Sequence, residues 1–399
     1  MGKYDFDKVV QRRGTNSTKW DSDIRKFVDD IDYPIGELLP LWVADMDFEA
    51  APEIREALAK RAEHGVFGYT FVPDSCYDAI IEWEQTRHGW KMHRDWLLFA
   101  PGAVPAAHLA VQAFCQPGDR VLIQRPVYYP FFKTILDNGM HIANSPLKEV
   151  DGAYEIDFDD FERQAGESRT TLFILCSPHN PVGRVWRQEE LERMGKICSD
   201  SGVVVFADEL HCDLVMPAQK NRHIPFGSLN APARDNSVTT IAPSKTFNLA
   251  GLYATVVVIP DEKLRLKFKN VMARNSVTNL NLFAITAMEA AYRHGGNWLD
   301  EALAYIQGNY EFLVNYLKEK LPLAKPFAME GTYLAWVDFR ALEKDPLKLQ
   351  KRMLTEAGVW LDEGRIFGPE GDGFERIVLA CPRSILKEAL DRIVAAFSR

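Results

Sequence analysis

From about residue 96 onward, short apolar runs rich in Val, Ile, Leu and Phe alternate with helix-period segments, and this alternation constrains the chain more than any other feature. The runs are Trp96 to Phe99, Arg120 to Gln124, Thr171 to Cys176, Val203 to Ala207, Ser237 to Ala242 and Ala254 to Ile259. Several carry charge only at their edges, as strands covered by helices on both faces do. Between them, Val104 to Cys115 and Glu189 to Ser201 read as amphipathic helices, the second ending at the Gly202 breaker. The alternation predicts an α/β fold built on a mostly parallel sheet with helices on both faces. After Ile259 the rhythm changes. A long helical region runs to about Lys320, broken near Gly295 and Gly296. Thr332 to Phe339 then alternates like a strand, a helix follows near Pro346 to Ala357, and a Gly-rich stretch around Gly364 to Gly373 precedes a last helix. The expected organisation is a large α/β domain over 51–294 and a smaller α+β domain over 295–399. An N-terminal segment, 1–50, is expected to pack with the smaller one.

The 399 residues are 47% hydrophobic and 26% charged, enough apolar material for a large core and too much for a disordered chain. Lys and Arg total 47 against 56 Asp and Glu, so a net charge of -9 offers no basic surplus for a phosphate backbone, and a nucleic-acid partner is not expected. The apolar stretch from Tyr253 to Pro260 falls far short of the roughly 18 residues a membrane helix needs. The six cysteines lack paired spacing, which fits reduced thiols in the cytoplasm, and the start M-G-K-Y-D-F-D-K has neither an apolar export region nor a myristoylation pattern.

In open α/β sheets ligands bind beyond the carboxyl ends of the strands, so polar residues directly after apolar runs matter most. Three places meet that condition. C-S-P-H-N-P-V-G, Cys176 to Gly183, runs from a strand into two prolines and a glycine, which by themselves make a turn. F-A-D-E-L-H, Phe206 to His211, puts an acid after a buried strand, a position that a helix cap also occupies. A-P-S-K-T-F-N, Ala242 to Asn248, puts a lysine at a strand end, where desolvation can make its amine nucleophilic.

N-P-x-G, then Asp, then S-K in this order resembles the fold type I enzymes of pyridoxal 5'-phosphate, the aspartate aminotransferase superfamily (class I/II), over nearly the whole chain. Five longer stretches narrow the resemblance to the cystathionine β-lyase and cysteine C–S lyase subfamily. They are R-R-G-T-N-S-T-K-W-D (Arg12 to Asp21), L-W-V-A-D-M-D-F (Leu41 to Phe48), S-P-H-N-P-V-G-R-V-W (Ser177 to Trp186), D-E-L-H-C-D-L-V (Asp208 to Val215) and A-C-P-R-S (Ala380 to Ser384).

The resemblance implies the roles. Lys245 matches the lysine that holds the cofactor aldehyde and, once displaced by substrate, serves as general base at Cα. Asp208 matches the acid that keeps the ring nitrogen cationic, by the attraction of opposite charges. Asn180 donates to the ring's phenolic oxygen, with His211 as a second neighbour unless it is an ordinary turn histidine. Gly102, Ala103 and Val104 in P-G-A-V open a helix whose backbone N–H groups receive the phosphate, beside the Ser244 hydroxyl. Tyr69 matches the tyrosine that reaches the phosphate of the neighbouring subunit, which implies a homodimer with shared sites. Tyr128 stacks on the ring, with Tyr129 as the alternative register. Arg383 corresponds to the arginine that grips the substrate carboxylate with two parallel hydrogen bonds. Two positions depart from the pattern: Tyr253 stands where many superfamily members have a phosphate-binding arginine, and Val378 where the related R-x-N-x-A-C-P-R pattern has Asn.

The activity so implied is β-elimination from an L-cysteine S-conjugate, with cystathionine giving homocysteine, pyruvate and ammonia. Transamination uses the same lysine and returns the proton to the cofactor, and no single residue separates the two. Some relatives also bind transcription regulators, which leaves a regulatory protein contact as a further alternative.

Overall fold

The computed structural model describes residues 2–26, 38–277 and 279–398; residues 27–37 of the expected N-terminal segment lie outside them. Seven strands form the central sheet: β1 (Leu97–Ala100), β2 (Arg120–Ile123), β3 (His141–Asn144), β4 (Thr170–Cys176), β5 (Val204–Asp208), β6 (Ser237–Ile241) and β7 (Thr255–Val258). Their order is β1-β7-β6-β5-β4-β2-β3. The run from β6 to β3 is parallel throughout. Strand β7 is antiparallel to both of its neighbours. The sheet is therefore mixed and mostly parallel. The six expected runs are all strands, displaced by a residue or so at their ends, and β3 is an addition at the sheet edge.

The helices obey local chemistry. Helix α1 (Pro52–Glu63) starts with proline at its first position, where the missing N–H costs nothing. Helix α2 (Asp74–His88) stops at Gly89, whose φ of 68° is the left-handed conformation that glycine adopts without strain. Helix α3 (Ala103–Phe114) follows β1 and α4 (Gln188–Asp200) follows β4, as the sequence predicts. Lys245 sits on α5 (Pro243–Thr246), a single turn. The long helical region resolves into α6 (Glu262–Arg274), α7 (Leu282–His294) and α8 (Gly296–Lys320), with Asp261 and Asn281 accepting the exposed N–H groups at the starts of α6 and α7.

A second, antiparallel sheet has the order β8-β9-β11-β10, from β8 (Lys325–Pro326), β9 (Leu334–Asp338), β10 (Asp362–Glu363) and β11 (Phe374–Val378), and α9 (Pro346–Thr355) and α10 (Arg383–Phe397) complete this part of the chain. The N-terminal segment joins it: Leu39 and Pro40 pair with Val359 and Trp360, and Trp42 stacks on Trp360 at 4.2 Å. The largest apolar cluster extends from Phe6 through Trp90, Val256 and Trp298 to Phe397, so one continuous core lies beneath both sheets.

Candidate active site

Strands β4, β5 and β6 are parallel neighbours, with Cys176 opposite Asp208 and Asp208 opposite Thr240, so their carboxyl ends finish at one edge. The turns leaving that edge carry Asn180, Asp208, His211 and Lys245. The turn after β1 joins them because β7, reversed between β1 and β6, leaves β1 pointing the same way. Together they line a cavity of about 260 Å³ whose walls include Gly102, Ala103, Val104, Tyr128, Tyr129, Asn180, Asp208, His211, Ser244, Lys245, Tyr253 and Arg376.

At the base of the cavity the Lys245 amine donates to the Ala44 carbonyl at 2.7 Å. Burial, and then the nearby Arg376 guanidinium, bring its pKa down to about 8 against the opposing pull of Asp45 and Asp208. The Asp208 carboxyl is buried and accepts the Leu210 backbone N–H at 3.3 Å. Burial pushes it up to about 7, although that N–H and Lys245 both favour its charged form. Burial, Lys245 and Arg376 all hold His211 in its neutral form, and its Nδ1 is buried without a protein partner. Acid, amine and imidazole are thus all displaced toward neutrality, the signature of polar groups desolvated without full compensation.

At the opposite end, Gly102 caps α3 with a φ of 131°, open to few residues other than glycine, and a side chain there would meet Pro105 at 3.4 Å. Ala103 and Val104, the first residues of α3, and Ser244 line the cavity with Gly102. Tyr253 covers it, largely exposed and with a φ of 55°. Both Tyr128 and Tyr129 line the wall, so the cavity itself does not choose between the two registers. Tyr128 is held edge-on against Phe131, with ring centres 5.5 Å apart.

Two expected residues lie elsewhere. Arg383 begins α10, bonds Asn309 through Nε and stacks on Phe312 at 5.0 Å, outside the cavity lining. The arginine that lines the cavity is Arg376 on β11. It donates to Asn180 Oδ1 at 3.0 Å and to the Trp42 carbonyl at 2.8 Å, and it pairs with Asp362. The correction has a physical reason. Arg383 starts a helix whose apolar face is taken by the core, while Arg376, in the middle of a buried strand, reaches Asn180 in the turn after β4. The R-x-N-x-A-C-P-R pattern contains both arginines, and their placement separates them. Tyr69 is fully exposed, in a segment where Val66, Phe67 and Phe71 are exposed as well, and it does not line this chain's cavity.

The donor set fits pyridoxal 5'-phosphate: an amine for the aldehyde, a buried acid with capacity to spare, an amide and an orphan imidazole at one edge, and a glycine-opened helix start with a hydroxyl for the phosphate. Known proteins agree. The aminotransferase class I and II family model matches residues 37–393. The cystathionine beta-lyase PatB of Bacillus subtilis (strain 168) is 46% identical over 393 residues, 98% of this chain and 100% of that protein. A PLP-bound putative aminotransferase from Clostridium difficile 630 superposes with a TM-score of 0.94 at 40% identity, covering 99% of this chain and 100% of that one. The PLP-bound C-S lyase from Staphylococcus hominis does so with a TM-score of 0.91 at 34% identity, covering 100% and 99%. The structure is that of a fold type I enzyme, its cofactor is pyridoxal 5'-phosphate, and the chain belongs to the aminotransferase class I and II family.

Proposed function

We propose that the substrate is an L-cysteine thioether, cystathionine foremost, which this carbon–sulfur β-lyase cleaves to a thiol (homocysteine from cystathionine), pyruvate and ammonia. The likeness to a cystathionine β-lyase over essentially the full length of both chains carries the reading.

Bound in the cavity, the cofactor supplies an electron sink for the negative charge left at Cα. The chain's own groups supply the rest. Lys245, with a pKa near 8, is poised to be a neutral amine that takes the Cα proton once substrate has displaced it. Asp208 would sit against the ring nitrogen and favour its cationic form, and Asn180, whose Oδ1 accepts from Arg376, would hold the phenolic oxygen. Arg376 receives the substrate carboxylate, orienting the Cα–H bond toward Lys245. The thiolate leaves from Cβ, and the three-carbon remainder takes up water to become pyruvate and ammonia.

The exposed Val66–Phe71 segment supports a homodimer in which Tyr69 completes the phosphate site of a second copy, so that each site draws on two chains. The division at residues 50 and 294, and a cytoplasmic location, belong to the same reading. No described helix is long and apolar enough to cross a membrane.

The test is incubation of the holoenzyme with L-cystathionine without any 2-oxo acid. Pyruvate and homocysteine in equal amounts are expected. Amino-group transfer to an added 2-oxo acid with no thiol released overturns the lyase reading in favour of transamination, the reaction suggested by the likeness to a putative aminotransferase.

A further inference from the structure

Asp213 lies five residues beyond Asp208 in D-E-L-H-C-D-L-V and does not line the cavity. Its carboxylate is nevertheless one of the most heavily used groups in the molecule. Oδ1 accepts the Trp83 indole N–H at 3.0 Å and pairs with His88 Nε2 at 2.9 Å. Oδ2 accepts the Thr246 hydroxyl at 2.8 Å. The Asp213 side chain is 2% exposed and Thr246 is fully buried.

The elements that meet at this carboxylate are the ones whose relation matters. Thr246 is the residue after Lys245 on α5, a four-residue helix with no side-chain cap. A single turn has little stability of its own, so the direction of Lys245 must be set by contacts outside it. Asp213 ends the turn that carries Asp208 and His211, which is tightened by the Cys212 N–H on the Glu209 carbonyl at 3.0 Å and the Leu214 N–H on the His211 carbonyl at 2.9 Å. Trp83 and His88 belong to α2, a fifteen-residue helix set in the core, with Trp83 also edge-on to Phe247 at 5.5 Å. We propose that Asp213 is a positioning residue: through Thr246 it locks the Lys245 turn to the Asp208–His211 turn, and Trp83 and His88 hold its carboxylate against the frame of α2.

The charges support the geometry. Burial works against a charged His88, but Glu84 and the Asp213 carboxylate outweigh it and raise the imidazole to about 9. Burial likewise pushes the Asp213 carboxyl up, yet the bonds from His88, Thr246 and Trp83 hold it below the usual carboxylate range. The joint is therefore a charge-assisted one, stiffer than a neutral hydrogen bond. Displacement of a reacting group by about 1 Å is enough to slow chemistry roughly 10²-fold, so a residue that touches no substrate can still govern turnover.

The proposal rests on Lys245 being the cofactor lysine, and the experiment reads the cofactor directly. Thr246→Val keeps the shape and removes the hydroxyl, whereas Thr246→Ser keeps the hydroxyl. The visible band of each holoenzyme, the pH midpoint of that band, the thermal midpoint, and kcat and KM for pyruvate release are measured. Thr246→Val is expected to move the pH midpoint of the band and to lower kcat about tenfold or more with KM little changed, while Thr246→Ser stays close to the parent. Asp213→Asn is expected to act in the same direction and more strongly, and Thr246→Val carries the test where that variant does not fold. A parental band and kcat in Thr246→Val overturns the proposal. So does equal impairment of the Val and Ser variants, or a loss of kcat that only follows cofactor content. If the parent releases no thiol from any thioether, the lyase reading fails by itself, and the response of the band to Thr246→Val still decides this proposal.

Discussion

Two buried polar groupings lie on either side of Ala44, and they are treated in opposite ways. On the N-terminal side, Arg12 reaches Asp45 and Asp47, each at 2.6 Å, and the fully buried Lys19 ammonium meets Asp47 at 2.7 Å. Trp20 adds an indole N–H to Asp47 at 2.8 Å. Burial alone would raise the Asp47 carboxyl, but Lys19, Trp20 and Arg12 hold it below the ordinary carboxylate range. Every charge in this cage has its opposite. In the cavity, Lys245 has one backbone carbonyl, Asp208 one backbone N–H, and His211 Nδ1 nothing. Proteins pair nearly all their buried polar atoms, so atoms left over beside a cavity are held for something that binds there. The cage is scaffold. It braces the backbone that follows the Val43–Ala44 wall, with Lys19 on the Asp45 carbonyl and Arg12 on the Met46 carbonyl.

Substitutions sharpen this contrast. The largest effect is expected from Lys245→Ala, which should lower turnover by roughly 10²- to 10⁴-fold and abolish covalent attachment of the cofactor, read by mass spectrometry after borohydride reduction. Retained attachment would remove the lysine from its assigned place. Lys19→Met strands Asp47 without its ammonium and should cost about 3 kcal/mol or more of stability in urea unfolding, with the cofactor band unchanged. A shifted band at unchanged stability would instead make the cage part of the site. Arg376→Lys should reduce kcat/KM about tenfold to a hundredfold, because a point charge cannot reproduce two parallel hydrogen bonds, while Arg383→Lys should stay within about threefold of the parent. Equal losses in the two variants would erase the distinction between these arginines. The smallest effect concerns pH. The neutral amine is the nucleophile and the Lys245 pKa is about 8, so cofactor capture by the apoenzyme should slow as pH falls below that value and level off above it, as stopped-flow absorbance would show.

Much of this arrangement was readable in the chain. The strands ending before Asn180, Asp208 and Lys245 are continuous apolar runs bounded by turn residues, and such runs announce themselves. β11 did not, because F-E-R-I-V carries adjacent charged residues yet is buried along its whole length. Its glutamate and arginine interrupt the apolar run, so the pattern marks no strand there and does not single out the cavity arginine. The edge strand β3 was hidden for a related reason: H-I-A-N is short and polar at both ends. The reversal of β7 left no trace in its composition, since a buried antiparallel strand and a buried parallel one contain the same residues.

The order of residues determined the large α/β unit, the lysine, the acid and the amide at neighbouring strand ends, and the chemistry they imply, because each depends on local periodicity and on spacing along one stretch of chain. Tertiary structure alone decided which arginine faces the cavity, that the Ala44 carbonyl meets Lys245, and that Asp213 joins three elements. These are contacts between segments up to some three hundred residues apart, set by how the two sheets and the N-terminal segment pack, and no local pattern encodes them.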